Sequence, residues 1–359
     1  MNVRFLPLIL LVLCTGGAQA QELNTKNVFL ITLDGLRWQE FYSGADSLLL
    51  HDERWVDEVD ALSERFWADS AVERRARLMP FFWSTVAEHG QLYGNRSYGN
   101  LVDVSNKHVF SYPGYNEILT GFADEAIDSN AKRPNPNVTL LEWINTQEGF
   151  DGLVAAFGSW DVFPYIINED RSGIVVNAGF EAAEGDISAR EAFLNVLQEQ
   201  TPSPWSTVRL DVFTHHFAKE YLIRERPRLL YIAYGETDDF AHDAEYDSYL
   251  ESAHRTDAFI EDLWNWVQAD DAYRDRTSFV ITTDHGRGFK DEWVGHGADW
   301  EGSNHIWIAV LGPDSSGLGE VRDTAQLYQN QVAATVVRLL GFEYGNRVAV
   351  GPPIESALR

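Results

Sequence analysis

Four stretches of the chain are apolar at nearly every position: Val28 to Leu33, Leu229 to Tyr234, Phe279 to Thr283 and Ile306 to Leu311. A strand covered by helices on both faces reads this way, whereas a strand with one wet face alternates with polar residues. Between these stretches apolar residues recur at helical spacing over Met79 to His89, Val138 to Gln147, Ala189 to Gln198, Asp211 to Arg226, Tyr246 to Gln268 and Thr324 to Leu340. Strands alternating with helices predict an α/β fold with a mostly parallel sheet. Residues 45–75, charged and Trp-containing, interrupt the first crossover and read as a surface insertion. Residues 150–220 read as a cap or an extended crossover. With no internal repeat and no long Pro/Ser-rich linker, residues 21–359 read as one domain.

Three of the apolar runs end in carboxylates. Val28 to Leu33 leads into Asp34-Gly35, Leu229 to Tyr234 into Gly235-Glu236-Thr237-Asp238, and Phe279 to Thr283 into Asp284-His285-Gly286. In open α/β sheets the ligand crevice lies beyond the carboxyl ends of the strands, so the pattern sends three acids to one edge.

Composition narrows the partners. The 359 residues carry a formal net charge of −27, which argues against non-specific binding to nucleic acid or an anionic leaflet. Small anionic substrates stay open, since a metal ion reverses the field locally. Arg4, the apolar run Phe5 to Leu13 and Ala18-Gln19-Ala20 read as a signal peptide over residues 1–20, so the protein is expected to be exported, periplasmic or secreted. The single cysteine, Cys14, leaves with it, and no later apolar stretch reaches the roughly 20 residues of a membrane span.

The candidate chemistry sits at the strand ends. Asp238 and His242, four apart, share one face if the turn becomes a helix, where they hold a metal or simply mark an acidic helix start. Asp284 and His285 share a metal only if the backbone turns, which Gly286 permits, and are otherwise loop punctuation. Asp34 ends a strand, and His296 stands between two glycines in Gly295-His296-Gly297. Ser111, in Phe110-Ser111-Tyr112-Pro113-Gly114, sits at a predicted helix N-terminus, either as a cap or as a nucleophile. Three acids, three histidines and a hydroxyl suffice for two zinc-like ions.

In order along the chain, Leu33-Asp34-Gly35, Ser-x-Pro ending in Leu119-Thr120-Gly121, Glu236-x-Asp238-x-x-x-His242, Thr283-Asp284-His285-Gly286 and His296-Gly297-x-Asp299 resemble the alkaline phosphatase superfamily, most closely its type I phosphodiesterase/nucleotide pyrophosphatase group. The resemblance runs from Val28 to about Gly341. It implies a three-layer αβα sandwich and a two-metal, zinc-dependent phosphoester hydrolase, phosphodiesterase or phosphatase. Asp34, Ser111, Asp284 and His285 would hold one Zn2+, and Asp238, His242 and His296 the other. Ser111 would attack phosphorus to give a phosphoseryl intermediate, and Asn130 would donate to a phosphoryl oxygen. The substrate would be a small phosphoester, nucleotide-like or a lipid head group.

Three positions depart from the pattern. Serine stands where the diesterase group has threonine. Gly158-Ser159-Trp160-Asp161-Val162-Phe163-Pro164 lacks the Lys/Arg pair of some monoesterases, which tilts the reading to diesters, with Trp160 and Phe163 as pocket wall or as core. Sulfatases carry arginine four residues after the nucleophile; here Tyr115 stands there, which places sulfatase activity behind phosphoester hydrolysis. The rival is a metal-stabilised secreted binding protein on the same scaffold, without turnover. Asn95-Arg96-Ser97 and Asn137-Val138-Thr139 match glycosylation acceptors.

Overall fold

A computed structural model describes residues 23–358; the signal peptide read over residues 1–20, with Cys14, lies outside them. Ten strands occur among the described residues: β1 (Asn27–Leu33), β2 (Gln91–Tyr93), β3 (Leu101–Asp103), β4 (Val154–Gly158), β5 (Val175–Ala178), β6 (Leu229–Tyr234), β7 (Thr277–Thr282), β8 (Ile308–Leu311), β9 (Gly319–Glu320) and β10 (Gln326–Tyr328). Eight form one sheet in the order β5-β4-β6-β1-β7-β8-β2-β9, and β3 pairs with β10 apart from it. From β5 to β7 neighbouring strands run parallel; β8 is antiparallel to both β7 and β2. This is the mostly parallel α/β sheet the apolar runs predict.

β1 lies inside the parallel part, buried along its whole length. Its side chains alternate between faces: Val28 and Leu30 join one apolar layer, and Phe29, Ile31 and Leu33 the other. The first layer is completed by Ile118 and Leu119 of the helix Ser111–Thr120 and by Val336 and Leu339 of the helix Gln331–Leu339. The second takes Phe217 and Leu222 from the helix Asp211–Glu225 and Leu250, Ile260 and Leu263 from the helix Tyr246–Ala269. Each such side chain, fully buried, contributes roughly 1.5–3 kcal/mol, which is what keeps helices on both faces of the sheet.

Residues 45–75 form the short helices Ser47–Leu50 and Val59–Phe66 and most of Ala71–Leu78; Leu49, Leu50, Val56, Leu62 and Phe66 pack into the core, leaving the charged positions outside. Residues 150–220 supply β4 and β5, the helix Ala189–Gln200 and part of Asp211–Glu225, and so extend the sheet. The predicted helix over Met79 to His89 contains a π-helical turn at Phe82–Val86, and the carboxylate of Asp257 accepts from the N–H groups of Phe81 and Phe82 at 2.8 and 2.9 Å. The helix predicted from Thr324 starts only at Gln331, because Gln326–Tyr328 pairs with β3. Asn95 and Asn137 of the two glycosylation-like triplets are both buried. Among the described residues no helix is long and apolar enough to cross a membrane.

Strand register sets the position of the site. Leu33 pairs with Tyr234 and Thr32 with Thr282, so β1, β6 and β7 end side by side and the residues after them meet in one pit.

Candidate metal centre and active site

Each side chain of the pit is placed by a strand end or by a short turn beyond one. Asp34 follows β1, and Gly35 then turns with φ +62°; a Cβ there would lie 2.7 Å from Asp238 Oδ1 and 3.0 Å from Arg287 Nη1, so only glycine fits. Past β6 the chain enters the helix Glu236–His242, which sets Asp238 and His242 on one face with Oδ2 and Nε2 3.2 Å apart. Asp284 and His285 follow β7, and His296 comes from the loop after Lys290–Val294. Two groups result, Asp34 with Asp284 and His285, and Asp238 with His242 and His296; within each, one oxygen or nitrogen per residue lies within 4.8 Å of the others. The groups share a border: the His285 and His296 rings stack at 3.8 Å, and His285 Nε2 is 3.7 Å from Asp238 Oδ1.

Ser111 stands beside the first group. It opens the helix Ser111–Thr120, is nearly buried, and brings Oγ to 3.4 Å from His285 Nε2. The helix approaches this closely because Gly114 lies against the backbone of Asp284, where a Cβ would sit 2.5 Å from the Asp284 carbonyl oxygen. The loop before Ser111 is tied down from within the same helix: Glu117 accepts from the N–H and side chain of Ser105 and of Asn106, and Asn106 Oδ1 accepts from the N–H groups of His108 and Val109. Val109 itself has φ +53°, a left-handed conformation costly for a β-branched residue and of the kind held in place at functional sites. The helix start offers fewer donors than its position implies. The Tyr112 N–H donates to Asn130 Oδ1 at 3.0 Å, Pro113 has none, and the Gly114 N–H closes on Phe110. Asn130 is thereby fastened one residue from Ser111, with its Nδ2 left to donate elsewhere.

The electrostatics call for positive charge. Asp34 Oδ2 accepts from the Tyr115 hydroxyl at 2.8 Å and Asp284 Oδ1 from the Gly35 N–H at 3.1 Å, but Asp34 Oδ1 and Asp284 Oδ2 are buried with no hydrogen-bond partner. Burial raises both carboxyls well above the ordinary range, and the neighbouring Asp238 and Asp34 charges, respectively, push them further. His285 Nδ1 donates to the Gly286 carbonyl at 2.9 Å and His296 Nδ1 to that of Val109 at 3.4 Å, so each ring turns an Nε2 lone pair inward, where Ser111 Oγ lies 3.4 Å from that of His285 and His242 Nε2 lies 3.0 Å from that of His296. Burial, followed by the His285 charge, depresses His296 well below its usual range. Orphaned carboxylate oxygens beside unprotonated imidazole nitrogens are the donor set a divalent cation takes, and the residues fit one in each group.

Arg287 escapes the sequence patterns although it directly follows Asp284-His285-Gly286. It is fully buried, its Nε donates to the Trp293 carbonyl at 2.7 Å and its Nη2 to that of Val294 at 2.5 Å, and Nη1 contacts Asp238 Oδ1. Burial alone would raise Asp238; the Arg287 guanidinium, then His296 and His242, outweigh it and hold that carboxyl well below the ordinary value. Tyr115 stands out in the sequence only for what it replaces, not for its bond to Asp34. The turn after β4 also differs from expectation: Lys132, from the Asn130 loop, reaches Asp161 at 2.7 Å, so a cation does stand there, paired. Phe163 is core, packed on Tyr115 with ring centres 4.7 Å apart.

The family profile described as Sulfatase matches residues 26–341. Among solved structures, the chain is similar to the alkaline phosphatase PafA at 10% identity and TM-score 0.61, covering 93% of this chain and 99% of that one. It is likewise similar to the phosphonate monoester hydrolase of Silicibacter pomeroyi, at 13% identity, TM-score 0.54 and 93% and 76% coverage. The lipoteichoic acid synthase LtaP of Listeria monocytogenes aligns at 11% identity, TM-score 0.55 and 90% and 74% coverage. At these identities the structures speak for the fold. No curated protein matches the chain.

Proposed function

The chain belongs to the sulfatase family of the alkaline phosphatase superfamily, whose members hydrolyse phosphate and sulfate esters, and we propose that its own reaction is hydrolysis of a small phosphoester through Ser111. One observation carries this reading: a nearly buried serine hydroxyl borders two adjoining carboxylate–imidazole groups that contain orphaned oxygens. When bound, divalent cations, zinc by the chemistry of the donors, supply Lewis-acid stabilisation of negative charge on the ester oxygens.

The chain's own residues do the rest. Ser111 Oγ attacks phosphorus; the Ser–O–P bond forms, the bond to the leaving alcohol breaks, and the alcohol departs carrying a proton. Water then cleaves the phosphoseryl ester and restores the hydroxyl. Asn130, anchored on Tyr112, presents Nδ2 to a non-bridging oxygen, and the helix dipole of Ser111–Thr120 favours negative charge at Ser111. Near the turn after β4 the cation Lys132 is neutralised by Asp161, which supports a monoanionic diester over a dianionic monoester. The signal-peptide pattern of residues 1–20 supports an exported enzyme in this reading.

Sulfate ester hydrolysis is the second reading, favoured by the profile that matches. Against it, Tyr115 occupies the position of the sulfatase arginine and spends its hydroxyl on Asp34. The test is turnover of p-nitrophenyl phosphate, bis-(p-nitrophenyl) phosphate and p-nitrophenyl sulfate by zinc-loaded protein and by Ser111→Ala. The diester is expected to turn over fastest, with loss of at least about a thousandfold in the variant. Faster sulfate turnover selects the second reading, and no turnover of any ester selects a binding protein on this scaffold.

A further inference from the structure

The two groups of the pit differ in what already touches them. In the first, Asp34 Oδ1 and Asp284 Oδ2 have no hydrogen-bond donor and lie 3.3 and 3.4 Å from His285 Nε2, whose ring hydrogen is spent through Nδ1 on a carbonyl, so three lone-pair atoms converge with no cation of the chain among them. In the second, Asp238 Oδ1 is taken by Arg287 Nη1, and His242 Nε2 lies 3.2 Å from Asp238 Oδ2 and 3.0 Å from His296 Nε2. His242 is also approached from behind. Arg287 Nη2, a donor, is 3.3 Å from its Nδ1, so Nδ1 accepts and the ring hydrogen stands on Nε2, on the side that a cation would need. The guanidinium is not free to withdraw, because the Trp293 and Val294 carbonyls hold its Nε and Nη2.

We propose that Arg287 is a tethered cation of the centre that shares Asp238 with a bound metal and makes the Asp238, His242 and His296 group the weaker of two unequal metal sites. It rests on the metal-holding part of the proposed function and not on hydrolysis. A divalent ion entering the second group meets a fixed like charge on the far oxygen of its only carboxylate, and it must also reverse the His242 tautomer. Neither cost arises in the first group.

The test is a titration of chelator-stripped full-length protein with Zn2+ alone, followed by calorimetry and by metal content per chain. Two equivalents are expected, the second at least about tenfold weaker. Arg287→Met is expected to tighten the second by about tenfold or more and leave the first unchanged, whereas Arg287→Lys, which keeps the charge, leaves the second weak. Should Arg287→Met not fold, His242→Ala assigns the sites at a half-exposed position: it should abolish the weak equivalent and spare the tight one. Two equal equivalents, loss of the tight one in His242→Ala, or weaker second binding in folded Arg287→Met overturns the proposal while leaving hydrolysis through Ser111 standing. Absence of any zinc binding overturns both.

Discussion

Buried carboxylates occur in two regions of this protein, and the surroundings of each tell its purpose. In the layers behind the pit, Glu117 accepts from Ser105 and Asn106, Asp257 from the N–H groups of Phe81 and Phe82, and Glu40 from the Arg37 guanidinium. In the pit, Asp34 and Asp284 are as deeply buried, yet each retains an oxygen with no hydrogen-bond donor, its near neighbour being the His285 Nε2 at 3.3 and 3.4 Å. A buried polar atom without a partner costs about 1–3 kcal/mol, and more when charged, so folding alone gives no reason to keep two of them a few ångströms apart. The acids with every oxygen satisfied hold the fold; the two that each keep one unsatisfied oxygen are arranged for a ligand.

The largest effect should come from reversing that assignment at Asp284. Asp284→Asn keeps the acceptor for the Gly35 N–H and removes one charge from a crowd of three. Hydrolysis of the favoured ester is expected to fall by about a thousandfold or more, while urea unfolding of metal-free protein shows stability unchanged or raised by about 1–2 kcal/mol. A drop in stability of the metal-free variant would erase the distinction between the two regions.

Asp257 sharpens the comparison through pH. Burial pushes its carboxyl up to about 7, against the N–H groups of Phe81 and Phe82 that lower it. A carboxyl raised above its unfolded value of about 3.9 contributes stability that is complete below that pH and is lost as the pH rises through 7. Three pH units correspond to roughly 4 kcal/mol as an upper bound. Wild-type stability should therefore decline between pH 5 and pH 8 relative to Asp257→Asn, with kcat the same in both proteins. Parallel stability profiles would show that Asp257 is ionised throughout.

Glu117, a satisfied acid, links its region to the pit, since it belongs to the helix that starts at Ser111 and holds the loop that leads there. Glu117→Gln turns an acceptor of several hydrogen bonds into a side chain that faces donors with a donor. A loss of about 2–3 kcal/mol in unfolding free energy is expected, with turnover down about tenfold as the loop slackens. Unchanged stability would mean that Ser105 and Asn106 find other acceptors.

The same division governs how much of the molecule is legible without coordinates. The metal-site candidates announce themselves because chain direction and strand ends are one-dimensional features: an apolar run leading into Asp34, Asp238 or Asp284 is visible in the sequence, and parallel pairing then brings the ends together. Glu117, Asp257 and Arg287 leave no such mark. Glu117 sits in a helix with a weak apolar stripe, Asp257 acts on residues far away in sequence, and Arg287 differs from a surface arginine only through carbonyls of the loop after it. The strands β2, β3, β9 and β10 escape the pattern for a related reason: each has two or three residues, too few for any periodicity. β5 is little longer, and its exposed first residue blurs the pattern of a covered strand.

Tyr115 supplies the smallest test and the most specific one. Its hydroxyl donates to Asp34 Oδ2, which turns the orphaned Oδ1 toward the rest of the first group, and the ring is fixed by packing on Phe163. Tyr115→Phe keeps that packing and removes only the hydrogen bond. Orientation of a ligand by such a partner is typically worth 10- to 100-fold in metal affinity, about 1.4–2.7 kcal/mol. Zinc binding to the tight equivalent is expected to weaken by about tenfold with stability within about 0.5 kcal/mol of wild type. If instead the affinity is untouched, Asp34 needs no help to face the pit. Its free oxygen is then a product of the strand end alone, and the contrast between satisfied and waiting acids rests on backbone geometry and not on side-chain partners.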